Sequence, residues 1–219
     1  MICTGICAGK EDIMADELVK MQDQFSGLDM GALIGGPLKA ACDAQIMMAK
    51  ATSDFIQHVG MPDMIVAQAK KFEGVKESPA NSNNVIFNTH YYGHEVEGAA
   101  YPWCCAFVWD VFRMCGASKL FYDGQKTALC AAVESWGKNK QLTISNKSKG
   151  KKGDLVIFDF THSRRACHIG IIIKNNNDGT YTTIEGNTGT GNNSNGGMVM
   201  KRTRSISLIR CIIRPKYAT

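Results

Sequence analysis

Two adjacent thiols, Cys104 and Cys105, are the residues best suited to covalent chemistry. They lie in the run Pro102-Trp103-Cys104-Cys105-Ala106-Phe107-Val108-Trp109. A thiol attacks as its thiolate, and the start of a helix favours that form, because free N–H groups and the positive end of the dipole lower the thiol pKa. The same N–H groups can hold the oxyanion formed when a thiolate adds to a carbonyl. Pro102 and the loop before it put both cysteines near the first turn of an apolar helix predicted over Trp103–Cys115. Val108, Val111 and Cys115 follow Cys104 by four, seven and eleven residues, so Cys104 heads one face and Cys105 lies about 100° away. That spacing separates the two sulfurs without choosing between them.

A thiol nucleophile needs a base. His168 lies in Ala166-Cys167-His168-Ile169-Gly170-Ile171-Ile172-Ile173, a strand by residue type. Alternation puts His168, Gly170 and Ile172 on one face. The turn Asn175-Asn176-Asn177-Asp178-Gly179 then predicts a hairpin into Tyr181–Glu185. With a loop of two or four residues, His168 shares its face with Glu185 and Asn187. In the four-residue case it faces Asn187, Gly170 faces Glu185, and Gly170 leaves room beside the imidazole. A carboxylate or amide there fixes the tautomer and steadies the imidazolium. An odd loop, or a bulge, would put them on opposite faces. His162 in Thr161-His162-Ser163-Arg164-Arg165 is the rival base, on a loop with no evident partner, while His58, His90 and His94 read as helix-end or loop residues.

No metal or other cofactor is expected. Asn176, Asp178, Gly179 and Glu185 mimic a calcium loop, but Lys174 stands where its first carboxylate belongs and strands flank it. Zinc spacing of the Cys-x-x-Cys kind is absent.

The elements that must position these groups fall into two blocks. A helix is predicted over residues 10–26, and a second from Pro37 to Gly60 with an apolar face that includes Leu38, Cys42, Met48 and Phe55. Gly60-Met61-Pro62 marks the expected boundary, leaving 1–60 as an N-terminal helical segment and 61–219 as the catalytic domain. Helices are expected over Asp63–Phe72, up to Tyr91, and over Lys126–Trp136. Strands are expected over Leu155–Phe160, Cys167–Lys174, Tyr181–Glu185, Met198–Lys201 and Ser207–Arg214. Helices followed by an antiparallel sheet make an α+β fold. Leu33 to Gly60 also resembles a short bacterial family of unassigned function, which would make 1–60 a segment for docking to delivery machinery or an immunity partner.

The 219 residues include nine cysteines at irregular spacing, which argues against a disulfide framework. No apolar run spans a bilayer. The start lacks a basic, apolar signal sequence, so synthesis in the cytosol is expected, and any extracellular target would need another exit route. Net charge is +5, divided as −4 over 1–60 and +9 beyond. A basic catalytic part suits a polyanionic wall, and no nucleic-acid motif accompanies it. The lysines from Lys138 to Lys152 read as a solvated loop.

Taken together, the pieces resemble the CHAP family, papain-like enzymes common in phage endolysins and bacterial wall hydrolases. Ala67-Gln68-Ala69 with Phe72 to Pro79, Tyr91-Tyr92-Gly93, Pro102 to Val108, His168-Ile169-Gly170-Ile171 and Glu185-Gly186-Asn187 match in order, over about residues 62–215. In the family's motif cysteine directly follows tryptophan, which selects Cys104. Cys105 departs from the pattern, since the family more often has a residue without a thiol there. Some relatives bind calcium near the nucleophile, but the acid-poor Asn81–Asn88 stretch offers no such site. The resemblance implies a peptidoglycan amidase or endopeptidase working through an acyl-enzyme on Cys104, made in the cytoplasm and acting on the cell wall after release or delivery. His168 would carry the proton, with Glu185 orienting it and Asn187 in support. A papain-like effector cutting a protein amide or isopeptide is the alternative. A wall-binding module without activity would not need to keep cysteine, histidine and acid together.

Overall fold

The computed structural model describes residues 35–217, so the helix expected over 10–26 lies outside the described residues. The chain divides into two units between Asp54 and Phe55. Helix α1 is assigned over Gly36–Lys70, but Gly60 within it has φ 70° and ψ 151°. Glycine tolerates that left-handed φ, and Pro62 has no N–H to continue the ladder, so Gly60-Met61-Pro62 divides two helices.

In the second unit, α2 is Ile86–Tyr92, α3 is Cys104–Met114 and α4 is Cys130–Asn139. Helix α4 starts four residues later than the apolar pattern suggests. The Thr127 hydroxyl accepts the Leu129 N–H at 3.2 Å, a local turn that competes with helix at that point. Nine of the eleven residues of α3, from Cys104 to Phe112, are buried, which explains its nearly continuous apolar sequence.

Strands β1 (Leu155–Phe158), β2 (His168–Asn175), β3 (Thr180–Thr188), β4 (Met198–Ser205) and β5 (Ile209–Ile213) form one antiparallel sheet in the order β4-β3-β2-β1-β5. The fold is α+β, helices first and sheet after. One face of the sheet carries Ile169, Ile171, Ile173 and Ile184 into the main core with α3. The other carries Val156, Phe158, Ile172 and Tyr181 into a smaller cluster with Ile209 and Ile212. Both faces are covered, which is why β1 reads as an unbroken apolar run.

The register of the β2–β3 hairpin is not uniform. Next to the turn Asn175 pairs with Tyr181 and Lys174 with Thr182, whereas beyond Ile173 the pairs are Ile172 with Thr183 and Ile171 with Ile184. One extra residue on β2 makes a bulge. It converts a register that would have set His168 and Glu185 on opposite faces into one in which they share a face.

No helix among the described residues is long and apolar enough to cross a membrane.

Candidate active site

Cys104 is the first residue of α3, and Trp103 is its N-cap. The first bond that closes this helix runs from the Phe107 N–H to the Trp103 carbonyl at 2.9 Å. The amides of Cys104, Cys105 and Ala106 precede it and are therefore the free N–H groups of a helix start. The Trp103 indole N–H donates to Glu77 at 2.7 Å, and its ring stacks on Phe87 with centroids 5.5 Å apart. This anchors the residue before the nucleophile. The loop leading in is tied down by the Asn88 amide, which donates to the carbonyls of Asn83 (2.8 Å) and Tyr101 (2.9 Å).

His168 is the first residue of β2. Alternation along the strand assigns it to the face opposite the α3 core, yet it lies near enough to Cys104 for each to shift the other's titration, without an aligned hydrogen bond to either ring nitrogen among the described residues. The two meet because each stands at the end of its element, one at a helix start and the other at a strand start. His168 is fully buried, packed against Phe158 and Phe160 with ring centroids 6.1 and 5.7 Å away. Its Nε2 lies 3.1 Å from Oε2 of Glu185. The approach lies off the N–H axis, so the contact is an ion-pair geometry rather than a well-aligned hydrogen bond. Nε2 faces Glu185, and Nδ1 has no hydrogen-bond partner among the described residues.

Glu185 sits in a fitted slot. A Cβ on Gly170 would come within 2.7 Å of the Glu185 Cγ, so glycine is required across the hairpin. A Cβ on Gly186 would come within 2.5 Å of the Phe107 Cβ, so this glycine lets β3 close on α3. Arg204 on β4 grips the carboxylate, with Nε donating to Oε1 at 2.8 Å and Nη2 to Oε2. The Thr183 hydroxyl donates to Oε1 as well. The Arg204 guanidinium in turn lies over Phe160, 4.7 Å from the ring centroid.

These contacts set the charges. The neighbouring Cys105 and Cys130 thiols, together with His168, hold the Cys104 thiol well below its ordinary value despite burial. Burial works against a charged His168, but Cys104 and Glu185 outweigh it and push it up to about 9. Burial also opposes a charged Glu185, and Arg204 and His168 overcome it, bringing Glu185 down to about 2. The arrangement therefore favours a thiolate–imidazolium pair backed by a carboxylate, the charge state of an activated cysteine nucleophile.

Asn187 is placed differently from the expectation that it supports His168. It adopts a left-handed φ of 57° at an irregularity near the end of β3. Its amide donates to Asn83 at 3.5 Å and its side-chain oxygen accepts the Gly197 N–H at 3.3 Å. Among the described residues it makes no hydrogen bond to the imidazole. The turn of the backbone redirects the side chain, which pins β3 to the loops around Asn83 and Gly197.

His162 is exposed on the loop after β1, with φ 54°. Sequence reasoning missed Arg204 and Cys130. Arg204 reads as a strand arginine like its neighbour Arg202, and only the β3–β4 register places it on Glu185. Cys130, far from Cys104 in sequence, has its sulfur 3.7 Å from that of Cys104 and 3.5 Å from that of Cys105.

Residues 96–187 match the family described as CHAP domain. The chain carries a CHAP domain. CHAP domains are amidase- or peptidase-type hydrolases that generally act on peptidoglycan. Cys104, His168, Glu185 and Asn187 all lie within the matched CHAP segment, whereas Arg204 lies beyond it. Residues 29–93 match a second family, described as Protein of unknown function (DUF2589), which runs past Gly60 to the end of α2. No curated protein was found to match the chain.

Proposed function

We propose that this chain cleaves an amide bond of peptidoglycan, either the sugar–peptide amide or one within the stem peptides or cross-bridges, through an acyl-enzyme on Cys104. The observation that carries the reading is the charge line Cys104–His168–Glu185 at the start of α3. Cys104 attacks the carbonyl carbon as thiolate, and the charge that develops on oxygen is met by the amides of the first turn of α3. His168 gives its proton to the departing amine. It then takes one from water, which attacks the thioester carbonyl and expels the Cys104 thiolate. Glu185 holds His168 charged and oriented, and Arg204 holds Glu185. The net positive charge beyond residue 60 draws the domain to a polyanionic wall.

The test is digestion of purified peptidoglycan by wild type and Cys104→Ala, with mass spectrometry of the fragments. New amine ends made only by wild type are expected, and the fragment masses name the bond. Failure of the folded protein to cut several wall chemotypes would transfer the reading to an amide in a protein.

A further inference from the structure

We infer that Cys104, Cys105 and Cys130 form a binding site for one thiophilic d10 metal ion of the Zn²⁺ type, which silences the nucleophile by taking it as a ligand. The three sulfurs all lie within 4.8 Å of one another, and all three residues are buried. Two of the separations are 3.5 and 3.7 Å. A Zn–S bond of about 2.3 Å requires sulfurs about 3.8 Å apart in a tetrahedral site and about 4.0 Å in a trigonal one. The cluster is therefore near the coordination geometry before any ion enters. None of the three thiols is in a disulfide.

The donor set decides the ion. Three sulfurs, with no carboxylate among the clustered ligand atoms, disfavour calcium and magnesium and favour a soft or borderline cation. The hydrolytic reading uses one sulfur of the three, so Cys105 and Cys130 are two buried thiols without a step to perform. Binding balances simply. A dication joins the Cys104 thiolate, Cys105 and Cys130 release their protons to solvent, and a water molecule completes the fourth position. Cys130 opens α4 and the other two open α3, so the ion would also tie two helix starts together.

The experiment is titration of the reduced full-length protein with Co²⁺, read by the thiolate-to-cobalt absorption in the near ultraviolet, followed by displacement with Zn²⁺. One equivalent is expected. Cys105→Ala and Cys130→Ala should each weaken binding by more than the roughly 10- to 100-fold that even an outer-shell partner is worth. Circular dichroism checks that each variant is folded, and Cys105→Ser and Cys130→Ser provide near-isosteric replacements. Cys211→Ala should bind as wild type does. Absence of a thiolate band, or a band that survives both Cys105 and Cys130 variants or follows Cys3 and Cys7, overturns the site. The readout is metal binding, so it stands or falls separately from the role of Cys104 in hydrolysis.

Discussion

Arg204 engages both oxygens of Glu185, with Nε on Oε1 at 2.8 Å and Nη2 on Oε2, while His168 Nε2 shares Oε2 from 3.1 Å away. A fully buried carboxylate thus sits between two cations, and it answers to the guanidinium as much as to the imidazole. Removing Arg204 would leave Glu185 buried with half its charge partners gone. Arg204→Met should destabilise the domain by about 3–5 kcal/mol, measured by denaturant unfolding. Arg204→Lys keeps the charge but loses the fork, so it should recover only part of that stability.

Loss of the attacking sulfur should remove nearly all hydrolysis. Cys104→Ala is expected to lower kcat on the order of 10⁵- to 10⁶-fold with an unchanged circular dichroism spectrum. Substantial residual turnover would move the nucleophile to Cys105.

The pH dependence follows from the two shifted groups. His168 is raised from 6.5 to about 9, so the imidazolium persists until pH approaches 9 and is lost above it. The alkaline limb of kcat/KM should fall near pH 9, and Glu185→Gln should move it to lower pH. Stability follows the same signs. The His168 contribution is complete below its ordinary value and disappears as pH rises through about 9. The Glu185 contribution is complete above 4.5 and disappears as pH falls towards about 2.

Gly170 is the position where the smallest change should do specific harm. Gly170→Ala places a Cβ 2.7 Å from the Glu185 Cγ, so the carboxylate must move away from the imidazole. An overpacking cost of about 1–3 kcal/mol is expected, with a loss of activity larger than the loss of folded protein explains. A variant as active as wild type would show that Glu185 tolerates displacement.

His162→Ala should be nearly silent in both thermal melting and peptidoglycan release assays. Its side chain is exposed on the loop after β1. A dead variant would require a different base.

Much of this was legible in the residues. Periodicity located the buried helix at Cys104 and the five strands, because core positions must repeat at 3.6 or 2 residues. Hairpin parity put His168 and Glu185 together for an even loop, and treated an odd loop or a bulge singly as separating them, whereas the structure has both. The register at the turn is odd, and the bulge at Ile173 cancels it. Neither leaves a mark in composition. Asn187 was misplaced because a single positive φ breaks the alternation on which parity depends. Arg204 and Cys130 were invisible for a different reason. Their importance comes from elements joined only in space, β4 with β3 and α4 with α3, and local spacing carries no record of either.

The bulge at Ile173 also acts as a phase shifter for the hairpin. The turn and the bulge each contribute one odd residue, and the two cancel. Deleting Ile173 would straighten β2 and still leave Ile172 opposite Thr183 and Ile171 opposite Ile184. His168 would then stay on the face of Glu185, because the residue lost is the one that has no partner on β3. The hairpin in this sense carries a spare residue, which lets the site keep its geometry through a change in strand length.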